Sequence, residues 1–158
     1  MRELQWRIAY KSVQIDELSE TDRELVEMAR QATYRSYAPY SHFCVGAAVR
    51  MANDAVVSGS NQENVSFGAT TCAERCALHY ANAAYPNVAV SAIAIAARDT
   101  HGDFTQKPIS PCGICRQVLV EVQQRAGHDV RILLYGTNEV LVLPSVSGLL
   151  PFQFDEIV

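Results

Sequence analysis

The segment Thr71-Cys72-Ala73-Glu74-Arg75 is followed, forty positions after its cysteine, by Cys112 in the segment Pro111-Cys112-Gly113-Ile114-Cys115. The second segment has the two-residue spacing with which one turn of backbone directs two thiolates to one zinc ion. Cys72 can supply a third thiolate, which leaves one tetrahedral position open, as in catalytic rather than structural zinc sites. A carboxylate beside that position, here Glu74, can move protons to and from bound water. The two segments therefore predict a hydrolytic zinc centre.

The order of the two segments is typical of one class of zinc enzyme. Nucleobase deaminases carry H-x-E, or C-x-E, followed by P-C-x-x-C, and the glutamate is a proton carrier rather than a zinc ligand. We therefore expect Cys72, Cys112 and Cys115 to bind zinc and Glu74 to act in catalysis. Both segments fall at predicted helix starts, where free N–H groups and partial positive charge offset the negative charge of three thiolates. Arg75 is either a further positive charge beside a thiolate or an ordinary surface residue.

Two further cysteines leave an alternative open. Cys76 lies one helical turn after Cys72, and as a fourth ligand it would make a closed, structural zinc site in a protein that is not an enzyme. Against this, the i+4 residue lies roughly 6 Å farther along the helix, and a closed site gives Glu74 no role. Packing in the core is the expected role of Cys76 and also of Cys44.

The composition narrows the classes of partner. A length of 158 residues suggests a single domain over residues 1–158. The net charge of −4 and the lack of a dense Lys/Arg stripe argue against a nucleic-acid partner and favour a small substrate. No apolar run is long enough for a membrane span, and five cysteines that include a C-x-x-C pair indicate a reducing, cytoplasmic compartment. The low charged fraction, 19%, suggests that other subunits cover part of the surface.

The hydrophobic pattern predicts helices that alternate with strands. Thr21-Asp22-Arg23-Glu24 has the form of a capping box and predicts a helix over residues 22–36. Two more helices are expected, over residues 72–84 and from near Pro111, and strands are expected over residues 45–51, 55–60, 90–96, 130–135 and 140–143. Helix and strand alternate after the opening hairpin, which implies crossover connections. The expected fold is a three-layer α/β/α sandwich with a five-stranded mixed sheet.

Four blocks of the sequence resemble the small cytidine deaminases. They are Tyr40-Ser41-His42-Phe43-Cys44-Val45-Gly46-Ala47-Ala48, Asn61-Gln62-Glu63-Asn64, Cys72-Ala73-Glu74-Arg75 and Pro111-Cys112-Gly113-Ile114-Cys115-Arg116-Gln117, in the order of that family. The resemblance extends to Leu149-Leu150-Pro151-Phe152-Gln153-Phe154 and so covers most of the chain. It implies zinc-dependent deamination of cytidine and deoxycytidine in pyrimidine salvage, with one zinc ion per subunit and with uridine or deoxyuridine and ammonia as products.

The resemblance also implies roles for residues outside the zinc centre. Phe43 is expected to pack against the pyrimidine, and Asn61 and Glu63 are expected to hold the ribose hydroxyls. The backbone N–H of Ala73 is expected to contact the 2-oxo group of the base. Small members of the family are homotetramers in which an aromatic residue of the C-terminal tail, here Phe154, reaches the active site of a neighbour.

One departure from the family and two other activities complete the set of expectations. Phe67 stands where the family often has Tyr, so the phenolic hydroxyl is missing at that position. The blasticidin S deaminases use the same scaffold, but the N-x-E-N block favours plain ribosides. Polynucleotide-editing deaminases share the zinc chemistry, and the acidic net charge argues against that activity.

Overall fold

The computed structural model describes residues 1–156. Its strands within that range are β1 Lys11–Val13, β2 Phe43–Met51, β3 Val56–Ser60, β4 Val90–Asp99, β5 Arg131–Tyr135 and β6 Val140–Leu143. They form one sheet in the order β1-β6-β5-β4-β2-β3. β4 and β5 are parallel, and the other neighbouring strands are antiparallel. The expected α/β class with a mixed sheet is therefore confirmed.

The number of strands is six, not the expected five. The additional strand is β1, a three-residue element that pairs with β6 at the edge of the sheet. Two of its side chains, Lys11 and Ser12, are exposed. Three residues are too few for the apolar/polar alternation that predicts a strand. The sequence gives no sign of β1 because backbone pairing, rather than burial of side chains, holds it in place.

Three α-helices in the described part of the chain cover both faces of the sheet, and they are α1 Glu20–Ala32, α2 Ala73–Ala84 and α3 Gly113–Ala126. The central strand β4 shows how the two faces differ. Ile93 and Ile95 belong to the core that lies under α2 and α3. Ala92, Ala94 and Ala96 point the other way and belong to the core under α1. The three-layer arrangement follows from this alternation of large and small side chains.

One glycine allows the beginning of α2 to pack closely against the sheet. A Cβ at Gly59 of β3 would lie 2.5 Å from the backbone nitrogen of Ala77 and 3.0 Å from the carbonyl oxygen of Ala73. Only glycine permits an approach this close between a strand and a helix backbone. The first turn of α2 is therefore held directly against the sheet.

The start of α1 differs from the prediction. Ser19 is its N-cap, and the Ser19 hydroxyl accepts a hydrogen bond of 3.2 Å from the backbone N–H of Asp22, so the predicted capping box does not form. The helix ends at Ala32, and a 3-10 turn over Thr33–Arg35 follows it. Among the helices of residues 1–156, none is both long and apolar enough to cross a membrane.

Candidate functional site

Three cysteine sulfur atoms meet between the starts of α2 and α3. Cys72 is the N-cap of α2, Cys112 is the N-cap of α3, and Cys115 lies in the first turn of α3. The Sγ atoms of Cys72 and Cys112 are 3.8 Å apart, those of Cys112 and Cys115 are 3.4 Å apart, and all three lie within 4.8 Å of one another. Thiolates on one tetrahedral zinc, with Zn–S bonds of about 2.3 Å, are separated by about 3.8 Å. The three residues fit a zinc ion.

Cys76 lies outside this group. Of the residues that the structure describes, the group that could hold a metal consists of the three cysteines above and no fourth. The side chain of Cys76 is half-buried, and Cys44 is buried. A three-thiolate set leaves one tetrahedral position for a water molecule or a substrate, which is the arrangement of catalytic zinc sites.

One positively charged group lies beside the sulfur of Cys72. A terminal nitrogen of the Arg75 guanidinium lies 3.8 Å from that sulfur and also donates a 3.1 Å hydrogen bond to the carbonyl oxygen of Thr70. In the metal-free chain, the neighbouring Cys115 thiol and then Arg75 lower the pKa of Cys72 to about 5. The same thiol–thiolate hydrogen bond raises the pKa of Cys115. Of its two possible roles, Arg75 has the one beside a thiolate.

Glu74 is the second residue of α2 and is only 4% exposed. Burial raises the pKa of its carboxyl group, and the negative charge of Cys72 raises it further. A carboxyl group with a raised pKa holds a proton more readily than an ordinary one, which favours a role as a proton carrier. The position and the environment of Glu74 therefore suit general acid–base chemistry beside a metal.

Glu63 lies at a second, more open part of the site. Its carboxylate accepts hydrogen bonds from the backbone N–H groups of Tyr40, at 2.9 Å, and Ser41, at 3.3 Å, and from the Ser41 hydroxyl. The Ser41 hydroxyl, followed by these N–H groups, lowers the pKa of Glu63 although burial opposes the effect. A cavity of about 380 Å³ adjoins this carboxylate and is lined by Tyr40, Ser41, Glu63, Phe67 and Thr70.

Asn61 holds the start of β2. Its side-chain oxygen accepts a 2.8 Å hydrogen bond from the backbone N–H of Val45, and its side-chain nitrogen donates a 2.9 Å hydrogen bond to the carbonyl oxygen of Phe43. The ring of Phe43 is 37% exposed, so it is not a core aromatic. One N–H of the Asn61 amide is left after these two bonds, since the amide group has two N–H donors.

Backbone pairing joins the two parts of the site. Gln62 and Thr71 exchange hydrogen bonds of 2.9 and 3.0 Å, which place the loop of Glu63 beside the residue that precedes Cys72. Ala73 follows Cys72 as the first residue of α2 and is fully buried. The N–H groups in the first turn of a helix have no partner within the helix. The N–H of Ala73 therefore has no partner within α2.

The C-terminal tail lies along α3 of its own chain. Gln117 donates a 2.6 Å hydrogen bond to the carbonyl oxygen of Phe154, and Gln124 donates one of 2.7 Å to that of Asp155. The side chain of Phe154 is nevertheless 67% exposed. Its ring is not among the residues that line the cavity beside Glu63.

Two polar residues of the site were not singled out from the sequence. Ser41 fixes Glu63, and Arg116 donates 2.8 Å hydrogen bonds to the carbonyl oxygens of Pro111 and Leu149. Both residues lie inside the quoted sequence blocks. Their roles depend on contacts between segments 22 and 33 positions apart, which spacing within a block does not reveal.

Comparisons with known proteins agree with this geometry. A family model described as "Cytidine and deoxycytidylate deaminase zinc-binding region" matches residues 19–127. A cytidine deaminase of Halalkalibacterium halodurans is 40% identical over 136 residues, which are 84% of this chain and 94% of that protein. A cytidine deaminase of Mycobacterium tuberculosis is 45% identical over 127 residues, which are 77% of this chain and 85% of that one. The crystal structure of a cytidine deaminase from Burkholderia pseudomallei superposes with a TM-score of 0.73 at 37% identity, over 87% of this chain and all of the other.

Proposed function

The chain belongs to the cytidine and deoxycytidylate deaminase zinc-binding family, and from that premise we propose that it hydrolyses cytidine and deoxycytidine to uridine and deoxyuridine with release of ammonia. The observation that carries the proposal is the meeting of three cysteine Sγ atoms within 4.8 Å of one another, with the buried Glu74 two positions after Cys72. Zinc, when bound there, supplies Lewis acidity that makes water a strong nucleophile near neutral pH.

In the proposed reaction, the residues around the metal have separate roles. Cys72, Cys112 and Cys115 hold one zinc ion per subunit and leave one position open. Glu74 accepts one proton of the attacking water and delivers it to N3 of the cytosine ring. It then accepts the second proton, from the hydroxyl group added at C4, and delivers it to the amino group, which leaves as ammonia while the C4 oxygen becomes a carbonyl. Arg75 offsets part of the negative charge of the thiolates because it lies against Cys72.

The base and the sugar are bound by the remaining site residues. Phe43 packs its exposed ring against the pyrimidine, and the free N–H of Ala73 donates to the 2-oxo group. Asn61 and Glu63 bind the ribose hydroxyls. A carboxylate has about four lone-pair sites, and three donors already use the Glu63 carboxylate, so one site is left for a hydroxyl.

The lining of the open cavity supports an uncharged nucleoside as the substrate. Its residues contribute hydroxyl groups, aromatic rings and one carboxylate, and they include neither Lys nor Arg. A 5′-phosphate would meet the negative charge of Glu63 without a cation to compensate for it. The five cysteines are free in the described structure, which supports a reducing, cytoplasmic compartment.

The active form is a homotetramer in which Phe154 completes the pocket of a neighbour. The exposed apolar side chains at both places support this, since Phe154 of the tail is 67% exposed and Phe67 of the cavity is 76% exposed. Apolar surface of this kind is usually covered by a partner. Sedimentation should show a particle near four times 17.4 kDa, and Phe154→Ala should raise KM without loss of zinc. A fully active monomer contradicts the tetramer.

The deciding experiment is a deamination assay combined with a metal count. Zinc-loaded protein should convert cytidine to uridine, seen as a loss of absorbance near the cytosine maximum, and should prefer cytidine to blasticidin S. Cys76→Ser should retain both zinc and activity, because Cys76 lies outside the group of three thiolates. Loss of zinc with unfolding in that variant supports the closed four-cysteine site instead. Zinc-loaded protein that deaminates no pyrimidine nucleoside contradicts the proposed function.

A further inference from the structure

The guanidinium group of Arg116 donates hydrogen bonds to two backbone carbonyl groups. Its Nε donates to the carbonyl oxygen of Pro111 and its Nη1 to that of Leu149, each at 2.8 Å. The side chain is half-buried, and the three ion pairs within residues 1–156 are formed by other arginines. The guanidinium fork therefore joins two segments 33 positions apart instead of neutralising a carboxylate.

The first of these carbonyls belongs to the peptide unit that leads into Cys112. Cys112 is the N-cap of α3, and its side chain makes no capping hydrogen bond. It is also the exposed member of the metal group, whereas Cys115 is buried and Cys72 is half-buried. The orientation of the Pro111–Cys112 peptide sets the position of the Cys112 backbone, from which the thiolate reaches the metal. Arg116 fixes that peptide from one side.

The second carbonyl belongs to Leu149, the residue at which the C-terminal tail begins. Leu149 is 7% exposed and belongs to the core beneath α2 and α3. Beyond it, Gln117 and Gln124 donate to the carbonyl oxygens of Phe154 and Asp155. Three side chains of α3 thus bind three carbonyls of the tail, and the same helix carries two of the metal cysteines at its start.

We propose that Arg116 is a positioning residue that couples the docked C-terminal tail to the Cys112 side of the metal centre. With the tail in place, the guanidinium is held between two fixed acceptors and keeps the Pro111–Cys112 peptide oriented. Without a docked tail, the backbone at Leu149 is restrained from the core side only, so the bond from the guanidinium to its carbonyl weakens and Cys112 becomes the most weakly held ligand. The inference rests on the proposed function in one respect, namely that the three cysteines bind zinc.

The test measures zinc release from the folded, zinc-loaded protein to a chromogenic chelator. Residues that orient metal ligands typically change metal affinity by about 10- to 100-fold when they are removed. Arg116→Gln should accelerate zinc release by that order, and hydrogen exchange at the amides of Leu149 to Phe154 should become faster in the same variant. The matched control is Arg125→Gln, on the same helix with an exposed side chain, and it should change neither rate.

A truncated chain that ends at Pro151 tests the coupling from the other side. It lacks both tail carbonyls that Gln117 and Gln124 bind, so it should also release zinc faster than the full chain. In the Arg116→Gln background the truncation should add little, because coupled changes are not additive. Independent, additive effects overturn the proposal, as does faster zinc release in Arg116→Gln with unchanged exchange in the tail.

A purely structural role for Arg116 gives a different result. It lowers the melting temperature of Arg116→Gln but leaves zinc release unchanged below the unfolding transition, and that outcome also overturns the proposal. Should this variant not fold, the truncation alone decides, since an unchanged release rate in the truncated chain excludes the coupling. Failure of the proposed function is seen separately, as zinc-loaded parent protein that does not deaminate cytidine.

Discussion

The metal centre and the cavity beside Glu63 are built in opposite ways. The metal centre lies where two helices begin, and its groups, three sulfur atoms and the buried Glu74, are held by backbone that packs directly on the sheet. The cavity is formed by loops, and two of its lining residues, Tyr40 and Phe67, are 48% and 76% exposed. Within one chain, the group of three cysteines is therefore complete, whereas the cavity beside Glu63 is lined by exposed side chains.

Helix starts explain the difference. They supply free N–H groups, partial positive charge and fixed directions for the side chains, which is what thiolate ligands require. A loop holds its shape through individual contacts, and here the shape of the Tyr40–Ser41 turn depends on the single carboxylate of Glu63. Substitutions in the two regions should accordingly affect different kinetic constants. We expect changes at the metal centre to affect turnover, and changes at the cavity to affect substrate affinity and assembly.

The largest effect is expected at the metal centre, for Glu74→Gln. The variant keeps the shape of the side chain but removes the proton carrier, and general acid–base catalysis contributes about 10²–10⁴-fold to a rate. Because the proposed mechanism uses Glu74 in successive proton transfers, kcat should fall by at least about 10⁴-fold. Zinc content, measured by atomic absorption, should equal that of the parent. Loss of zinc in this variant means that Glu74 is a ligand, and contradicts the assigned role.

A smaller effect, mainly on KM, is expected at the cavity for Glu63→Gln. A hydrogen bond to a charged group contributes about 1.5–3 kcal/mol, or roughly 10- to 100-fold in affinity. Steady-state kinetics with cytidine should show KM rising by that factor while kcat changes much less. Glu139→Gln is the control, since Glu139 is bonded to Ser12 at the distant edge of the sheet. If Glu63→Gln instead lowers kcat at unchanged KM, the division between the two regions is wrong.

The difference between helix starts and loops also explains which features could be predicted from the sequence. The three metal cysteines and Glu74 stand at fixed spacings on two helix starts, so local sequence places them, and the structure brings the three sulfur atoms together. Regular elements with a strong hydrophobic pattern, such as β4, were also expected, although β4 extends to Asp99 beyond the predicted end. In these cases local spacing and burial determine the structure.

What the sequence did not predict depends on contacts between distant segments. The clamp of Ser41 on Glu63 and the bridge of Arg116 each join loops that are far apart along the chain. The edge strand β1 exists because β6 offers an unpaired edge. α1 is capped by Ser19 rather than by Thr21, a second hydroxyl residue two positions later, and the local sequence does not distinguish the two.

An effect of intermediate size is expected on the ionisation of Cys72 in zinc-free protein, which reports whether a thiolate is present before zinc binds. In protein stripped of zinc by a chelator, Cys72 has a pKa of about 5 and is therefore a thiolate at neutral pH. Labelling by iodoacetamide, followed by mass spectrometry, should be constant above pH about 6 and should fall as protonation occurs near pH 5. Arg75→Gln should move this midpoint upward because the positive charge is lost, and the buried Cys44 should stay unlabelled. A midpoint near that of an ordinary thiol would mean that the centre is organised only by the metal.

The smallest effect is expected for Phe67→Tyr, which adds a phenolic hydroxyl at the edge of the cavity. Phe67 is exposed within its own chain, and its ring meets Tyr40 edge-on at 6.2 Å. An added hydroxyl therefore causes no clash within the subunit, and one new hydrogen bond contributes only about 0.5–1.5 kcal/mol, or roughly 2- to 10-fold. Sedimentation at several concentrations should show that the dissociation constant of the proposed tetramer falls by that factor, with KM nearly constant. The control is Tyr80→Phe, which removes a hydroxyl from an exposed position of α2. If Phe67→Tyr leaves assembly unchanged while Phe67→Ala also has no effect on it, the open side of the cavity does not face a neighbouring subunit.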